Sequence, residues 1–359
     1  MRTASPYLRT MADTPQRTEI GTLGEFGLID RLTARFETQQ PSTTVAAGDD
    51  CAVLTLGDQT LLVTTDMLLE GIHFDLTFHP LRHLGYKAVV VNLSDIYAMN
   101  GTPRQITVSM AVSNRFSVEA LDELYAGIRL ACEHYHVDLV GGDTTSSPRG
   151  LVLSITALGT APSNGPVLRS GARPGDILCV SGDLGGAYIG LQVLNREKSV
   201  YLENPGMQPQ LDDHAYVVGR QLKPEARRDI VRVLADAGVV PTAMIDLSDG
   251  LSSDLLHICD RSDVGVRIHE SEVPVHRDVY EMAIEFGLDP ITVALSGGED
   301  YELLFTVAED DLPALMDKKP DVAAIGRITK ASDGRHLISR SGIQHDLTAQ
   351  GWNHLSDDA

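Results

Sequence analysis

The sequence has no basic excess to offer a nucleic acid or an anionic membrane: 29 Lys and Arg stand against 50 Asp and Glu, a formal charge of −21 over 359 residues. Cysteine is scarce too. The four present, Cys51, Cys132, Cys179 and Cys259, lie far apart with no C-x-x-C pair, which argues against a disulfide framework and for reduced thiols in the cytoplasm. No apolar run reaches the roughly eighteen residues of a membrane span, and the first twenty residues lack the apolar segment of a signal peptide. The common phosphate cradles are missing: there is neither G-x-x-x-x-G-K-[ST] nor G-x-G-x-x-G, and no D-x-D-x-T nucleophile motif of a phosphatase. No His or Cys cluster is placed to bind zinc. If this chain handles phosphates, neither its net charge nor a familiar loop attracts them.

What is present is a globular composition, 43% hydrophobic and 22% charged, long enough for about two domains. Periodicity predicts a helix over 22–37, strands over 50–56, 60–66, 105–112 and 151–159, and helices near 80–99 and 117–136, a mixed α/β first half. After the APSNGP turn at 161–166, the second half starts with GARPGDILCVSG and a helix from about 186. It continues through a polar stretch, 195–214, expected to be a mobile surface insertion. A strand ending at Asp246, a helix from about 250 and strands near 264–269, 301–307 and 322–328 complete it. The expected division is a disordered N-terminal extension over 1–19, an N-terminal α/β domain over 20–160 and a C-terminal α/β domain over 161–359.

Acid meets glycine or a strand end at six places: Gly48-Asp49-Asp50, Thr64-Thr65-Asp66, Asn92-Leu93-Ser94-Asp95, Gly141-Gly142-Asp143-Thr144-Thr145, Asp246-Leu247-Ser248-Asp249-Gly250 and Ser296-Gly297-Gly298-Glu299-Asp300. Any one of them reads equally as a turn or a helix cap. Together they ask for a shared counter-charge, because Lys and Arg are too scarce nearby to neutralise them all. In LLVTTD, VDLVGGD and AMID an apolar run delivers the acid to the carboxyl end of an expected strand, where α/β proteins place ligands. On a helix, Asp95 shares a stripe with Leu84, Ala88 and Val91, so it falls on the face to be buried. Carboxylate and hydroxyl donors from Asp50, Thr64, Thr65, Asp66, Asp95, Asp143, Asp246 and Asp249 suit Mg²⁺, which completes its shell with substrate phosphates. Gly141-Gly142 and the helix start at Ser248 add backbone N–H groups for phosphate oxygens. Phosphoryl transfer fits this equipment, since it needs positioning and charge neutralisation more than a covalent nucleophile.

The motifs G-D-D-C-A, T-T-D-x-L-x-E-G-x-H-F, Y-K-A-x-x-V-N-L-S-D-I-x-A-M, L-V-G-G-D-T-T, R-S-G-A-R-P-G-D, I-D-L-S-D-G-L-S-S-D and L-S-G-G-E-D-Y-E-L, in this order over residues 20–355, resemble the thiamine-monophosphate kinase family of the aminoimidazole ribonucleotide synthetase-like superfamily. The resemblance implies the two-domain α/β fold of that superfamily, of the α+β type, with mixed sheets, flanking helices and a homodimer made through the N-terminal domain. It implies ATP-dependent phosphorylation of thiamine monophosphate to thiamine diphosphate, the last step of thiamine diphosphate biosynthesis, by direct in-line transfer with several Mg²⁺ ions. Carried over position by position, it gives the eight metal donors above. Tyr125, Gly142, Asp143, Arg169 and Ser248 become ATP contacts, and His73, Glu299 and Trp352 become acceptor contacts. It names no general base. A ring-closing purine enzyme, a non-catalytic nucleotide sensor and a phosphatase are the competing expectations; nucleic acid and membrane are not expected partners.

Overall fold

The computed structural model describes residues 22–319 and 321–349. The chain divides into two units, residues 1–39 with 353–359, and residues 40–352. In the first, the described element is helix α1 (Gly24–Thr33), shorter than the expected 22–37 and closed by the Ala34 N–H donating to Asp30 O. The expected extension over 1–19 and Trp352 lie outside the described residues.

Residues 40–352 form two mixed sheets. The first contains β1 (Thr43–Val45), β2 (Ala52–Leu56), β3 (Gln59–Leu69), β4 (Thr102–Val112), β5 (Asp138–Ser146) and β6 (Val152–Thr160) in the order β1-β2-β3-β6-β4-β5. All neighbours are antiparallel except β4 and β5. Residues of β6 alternate in burial, so Leu153, Ile155 and Ala157 enter the core while their neighbours face the other side. Helix α2 (Leu81–Ala98) covers this sheet and α3 (Val118–Tyr135) packs on α2. Their contact is closed by glycine: a Cβ on Gly85 would stand 2.0 Å from Leu124 O, and one on Gly127 would stand 1.9 Å from Arg82 O. The stripe through Asp95 underestimated α2, which is buried almost all round from Leu84 to Ala98. The sheet covers one of its sides and the second half of the chain, through the strand that ends at Asp246, covers another.

The second sheet contains β7 (Ile177–Val180), β8 (Ala243–Asp246), β9 (Val264–His269), β10 (Leu303–Val307), β11 (Ala323–Lys330), β12 (Arg335–Ile338) and β13 (Gln344–Asp346) in the order β13-β12-β9-β11-β7-β10-β8. Only β9 and β12 run parallel. Around it lie α4 (Gly186–Glu203), α5 (Ala215–Leu222), α6 (Arg228–Ala237), α7 (Leu251–Ser262), α8 (Arg277–Glu285), α9 (Pro290–Ser296) and α10 (Leu312–Lys318). One apolar cluster runs through both sheets, joining Leu62, Ile96, Ile106 and Ile155 to Ile177, Met244 and Phe305. That shared core makes residues 40–352 a single compact unit.

Within the expected mobile insertion at 195–214, residues 195–203 are helical and Asp212–His214 form a short 3-10 turn, with 204–211 irregular between them. Helix α4 continues to Glu203, because Arg196-Glu197-Lys198-Ser199 is a run that a helix accommodates well. It is tied down by ion pairs from Arg196 to Glu285 at 2.9 Å and from Lys198 to Asp75, and by Gln210 N–H donating to Glu197 Oε2 at 3.0 Å. Two acids expected at strand ends lie within strands. Asp66 sits inside β3, which runs on through Met67-Leu68-Leu69 in register with β6, and Asp143 sits inside β5. Only Asp246 ends its strand.

Candidate active site

Asp50 stands just before β2, Asp95 in the last turn of α2 and Asp246 at the end of β8, and the three carboxylates present oxygens all within 4.8 Å of one another. Three like charges this close repel. Burial, followed by the charge of Asp50, pushes the Asp246 carboxyl up to about 7. Burial and the neighbouring Asp66 and Asp246 raise Asp95 well above the ordinary carboxylate range, and burial takes Asp66 up to about 6. Among the described residues, Arg169 supplies a cation. Arg169 Nη2 donates to Asp50 Oδ1 at 2.8 Å, and the Arg169 backbone N–H donates to both oxygens of Asp49 at 3.3 and 3.2 Å. Asp50 Oδ2 remains buried with no hydrogen-bond partner among the described residues. A buried, unpartnered carboxylate oxygen beside two more carboxylates is a donor set for a hard divalent cation, and the residues fit Mg²⁺.

Strand alternation decides which side chains of β3 join this group. Thr64 and Asp66 share a face, and Thr64 Oγ1 donates to Asp95 Oδ2 at 2.5 Å. The Asp66 N–H donates to Asn92 Oδ1 at 3.0 Å, and Asn92 is itself held by donating to Ala88 O at 3.0 Å. Thr65 turns the other way: its hydroxyl donates to Ile155 O at 3.1 Å and receives that of Thr156 at 3.2 Å. Gly142 and Asp143 lie on a different part of the sheet. Asp66 pairs with Ile155, Ile155 with Val108 and Val108 with Gly142, three strand spacings, or about 14 Å. Only glycine fits at 142, where a Cβ would meet Val108 O at 1.9 Å. Tyr125, on α3, joins Gly142 and Asp143 in lining a surface recess of about 360 Å³. The structure therefore gathers the expected residues into two groups, the carboxylate cluster and this recess on β5.

Ser248 and Asp249 lie in the turn between β8 and α7. The buried Asp254 shapes that turn from one helical turn ahead, its Oδ2 accepting the N–H groups of Asp249 and Gly250 at 3.2 Å each. Ser248 O and Leu247 O in turn accept the N–H groups of Glu299 and Tyr301 at 2.7 and 2.8 Å. Glu299 and Tyr301 both adopt positive φ, 64° and 52°, an unusual conformation for two side-chain-bearing residues so close together. Asp300 between them anchors the loop by accepting the Gly185 N–H at 2.7 Å and the Ala187 N–H at 3.3 Å. His73 follows β3 in a turn, where its Nδ1 accepts the Leu69 N–H at 3.0 Å.

Several supporting residues were given no role in the sequence reading. Asn92 lies inside the NLSD motif, three residues before Asp95, where a polar residue on a buried helix was a signal. Asp254 was the last acid of DLSDGLSSD. Lys87 stood between apolar residues in YKAVVV, while Gln221 carried no sequence signal at all.

Residues 48–161 match the AIR synthase related protein N-terminal domain, and residues 173–338 match the corresponding C-terminal domain. The chain is 35% identical to the thiamine-monophosphate kinase of Escherichia coli (strain K12) over 346 residues, covering 93% of this chain and 98% of that one. It is 32% identical to that of Bacillus subtilis (strain 168) over 339 residues, covering 93% and 100%. Among solved structures, AaThiL complexed with AMPPCP and TMP is similar with a TM-score of 0.79 and 32% identity, covering 94% of this chain and 99% of that one.

Proposed function

From the premise that the chain belongs to the AIR synthase related family, among its thiamine-monophosphate kinases, we propose a division of labour among its own residues. The protein is an ATP-dependent kinase that converts thiamine monophosphate to thiamine diphosphate, with ADP as the second product. The observation that carries this reading is the carboxylate cluster of Asp50, Asp95 and Asp246, drawn from both halves of the chain and left with one buried oxygen unpartnered among the described residues.

Asp50, Asp95 and Asp246 hold Mg²⁺, with Thr64 and Asp66 on the adjoining face of β3 and Asp249 in the turn after β8. When bound, the metal supplies positive charge that neutralises the phosphoryl oxygens during transfer. Arg169 orients Asp50 by occupying Oδ1 alone and opposes the rise that burial gives its pKa, and it contacts nucleotide phosphate together with the backbone at Ser248. Asp143, Gly142 and Tyr125 form the other end of the ATP site, and Asp143 and Thr65 supply further metal positions. His73, Glu299 and Trp352 recognise the acceptor. A permanent thiazolium cation calls for a carboxylate and an aromatic face, which Glu299 and Trp352 provide. No general base is required, because a phosphate monoester with a second pKa of about 6 is already ionised near neutral pH.

The working unit is a homodimer formed through the N-terminal domain. In support, β5 is an edge strand exposed along its whole length, with Leu139 47% and Val140 58% exposed, an arrangement that invites pairing with a second copy. The domains divide near residue 160, in support of which β6 ends at Thr160 and β7 begins at Ile177. A cytoplasmic location is consistent with four cysteines that are all free and buried. The deciding assay incubates the protein with MgATP and thiamine monophosphate and separates the products. Thiamine diphosphate and ADP in equal amounts are expected; ADP with inorganic phosphate and no thiamine diphosphate would overturn the assignment.

A further inference from the structure

Lys87 is an ammonium group in the wrong place for a solvent-facing lysine. It sits on α2 where that helix meets the second half of the chain, and its side chain is 0% exposed. Its Nζ makes two contacts, both to the second half of the chain: an ion pair to Glu299 Oε1 at 2.9 Å and a hydrogen bond to Gln221 O at 3.1 Å. Gln221, 3% exposed on α5, then donates from Nε2 to Glu299 Oε2 at 2.8 Å. Both oxygens of the Glu299 carboxylate are thus held, one by a buried cation and one by a buried amide. The side chain itself stays 27% exposed.

A buried lysine costs desolvation free energy that an apolar residue of the same volume would not, so packing alone does not explain it. The backbone of Glu299 is under a matching constraint: it holds φ of +64° between two backbone bonds to the β8–α7 turn and an anchored Asp300. Main chain and side chain are both fixed at a residue whose tip remains open. We infer that Lys87, with Gln221, is a positioning residue pair that fixes the Glu299 carboxylate in the orientation that receives the cationic part of the acceptor. The inference rests on the reading of Glu299 as an acceptor contact and goes beyond it. It assigns the orientation of that contact to a lysine from the opposite half of the chain, so recognition of the acceptor depends on how the two halves meet.

The test is a double-mutant cycle read in Michaelis constants for the full-length protein with MgATP. Lys87→Met and Glu299→Gln are each expected to raise KM for thiamine monophosphate by about tenfold, the loss of one charge-assisted contact, and to leave KM for ATP within about twofold. If Lys87 acts through Glu299, the double variant is no worse than the worse single one. Gln221→Leu, which leaves no buried charge behind, provides a second variant should Lys87→Met fold poorly, and is expected to raise the same constant by about threefold. Multiplying effects in the double variant, or equal rises in both Michaelis constants, would overturn the positioning role. An unchanged acceptor constant in Glu299→Gln would instead remove the acceptor reading of Glu299 on which it stands. A raised constant in Glu299→Gln with none in Lys87→Met and Gln221→Leu would overturn this inference alone.

Discussion

Arg169 donates from Nη2 to Asp50 Oδ1 at 2.8 Å, while its own backbone N–H is bound by the carboxylate of Asp49. One residue of the segment between the sheets therefore serves both acids of the Gly48-Asp49-Asp50 turn. Without it, Asp50 would be a fully buried carboxylate facing Asp95 and Asp246 with no cation at all.

Arg169→Met should accordingly lower folding stability by about 3 kcal/mol in chelator, the usual cost of breaking a buried pair by removing one partner. Saturating Mg²⁺ should restore part of that loss, because a ligand that binds only the folded state stabilises it by mass action. Urea denaturation in chelator and in Mg²⁺ measures both. A loss under about 1 kcal/mol would mean that the pair behaves as a surface contact.

Asp95→Asn should cut turnover by a factor on the order of a thousand, since losing a metal ligand removes several kcal/mol of transition-state stabilisation. In chelator the variant should be at least as stable as the wild type, because a neutral isostere replaces an acid that burial and its neighbours disfavour as an anion. Turnover within about tenfold of wild type at saturating Mg²⁺ would remove Asp95 from the metal site.

The pH dependence of stability should carry the mark of His79. This imidazole is 2% exposed, edge-on to Phe74, and burial followed by the charges of Lys87 and His83 lowers its pKa from 6.5 to about 3. A lowered folded pKa means that the unfolded chain binds the extra proton first. The stability from burying a neutral ring is complete above 6.5 and is lost as pH falls from there toward 3, by about 1.4 kcal/mol per pH unit. Between about pH 7 and about pH 5, wild type should lose about 2 kcal/mol more than His79→Leu. Parallel curves for the two proteins would show that His79 is not the group that titrates.

Much of this was legible in the sequence, for physical reasons that differ from residue to residue. Asp246 could be placed because AMID is a short apolar run that ends in its acid, and β8 ends there too. Leu84, Ala88 and Val91 mark a buried stripe that brings Asp95 to the cluster, yet Asp95 itself stays partly exposed where its neighbours on α2 are buried, and periodicity cannot tell a helix covered on one face from one covered on several. Asp66 and Asp143 were located correctly but misjudged as strand ends, because strand length depends on a partner, and β6 extends the pairing of β3 to Leu69. Thr64-Thr65-Asp66 reads as one unit in the sequence, yet the period of two sends its middle hydroxyl to Ile155 O, on the face away from Thr64 and Asp66. Gln221 could not have been found at all, since its importance comes from a contact across the chain to Glu299.

Asp50 precedes β2 of the first sheet and Asp246 ends β8 of the second, yet they share one cluster with Asp95. The repulsion between Asp50 and Asp95 arises within the first half alone, whereas that with Asp246 is felt only where the two halves meet. Bringing together residues so far apart in sequence already carries loop-closure entropy, and the third carboxylate adds an electrostatic cost to it. A divalent cation held by all three acids would offset that cost, and so would act as a cross-link between the halves.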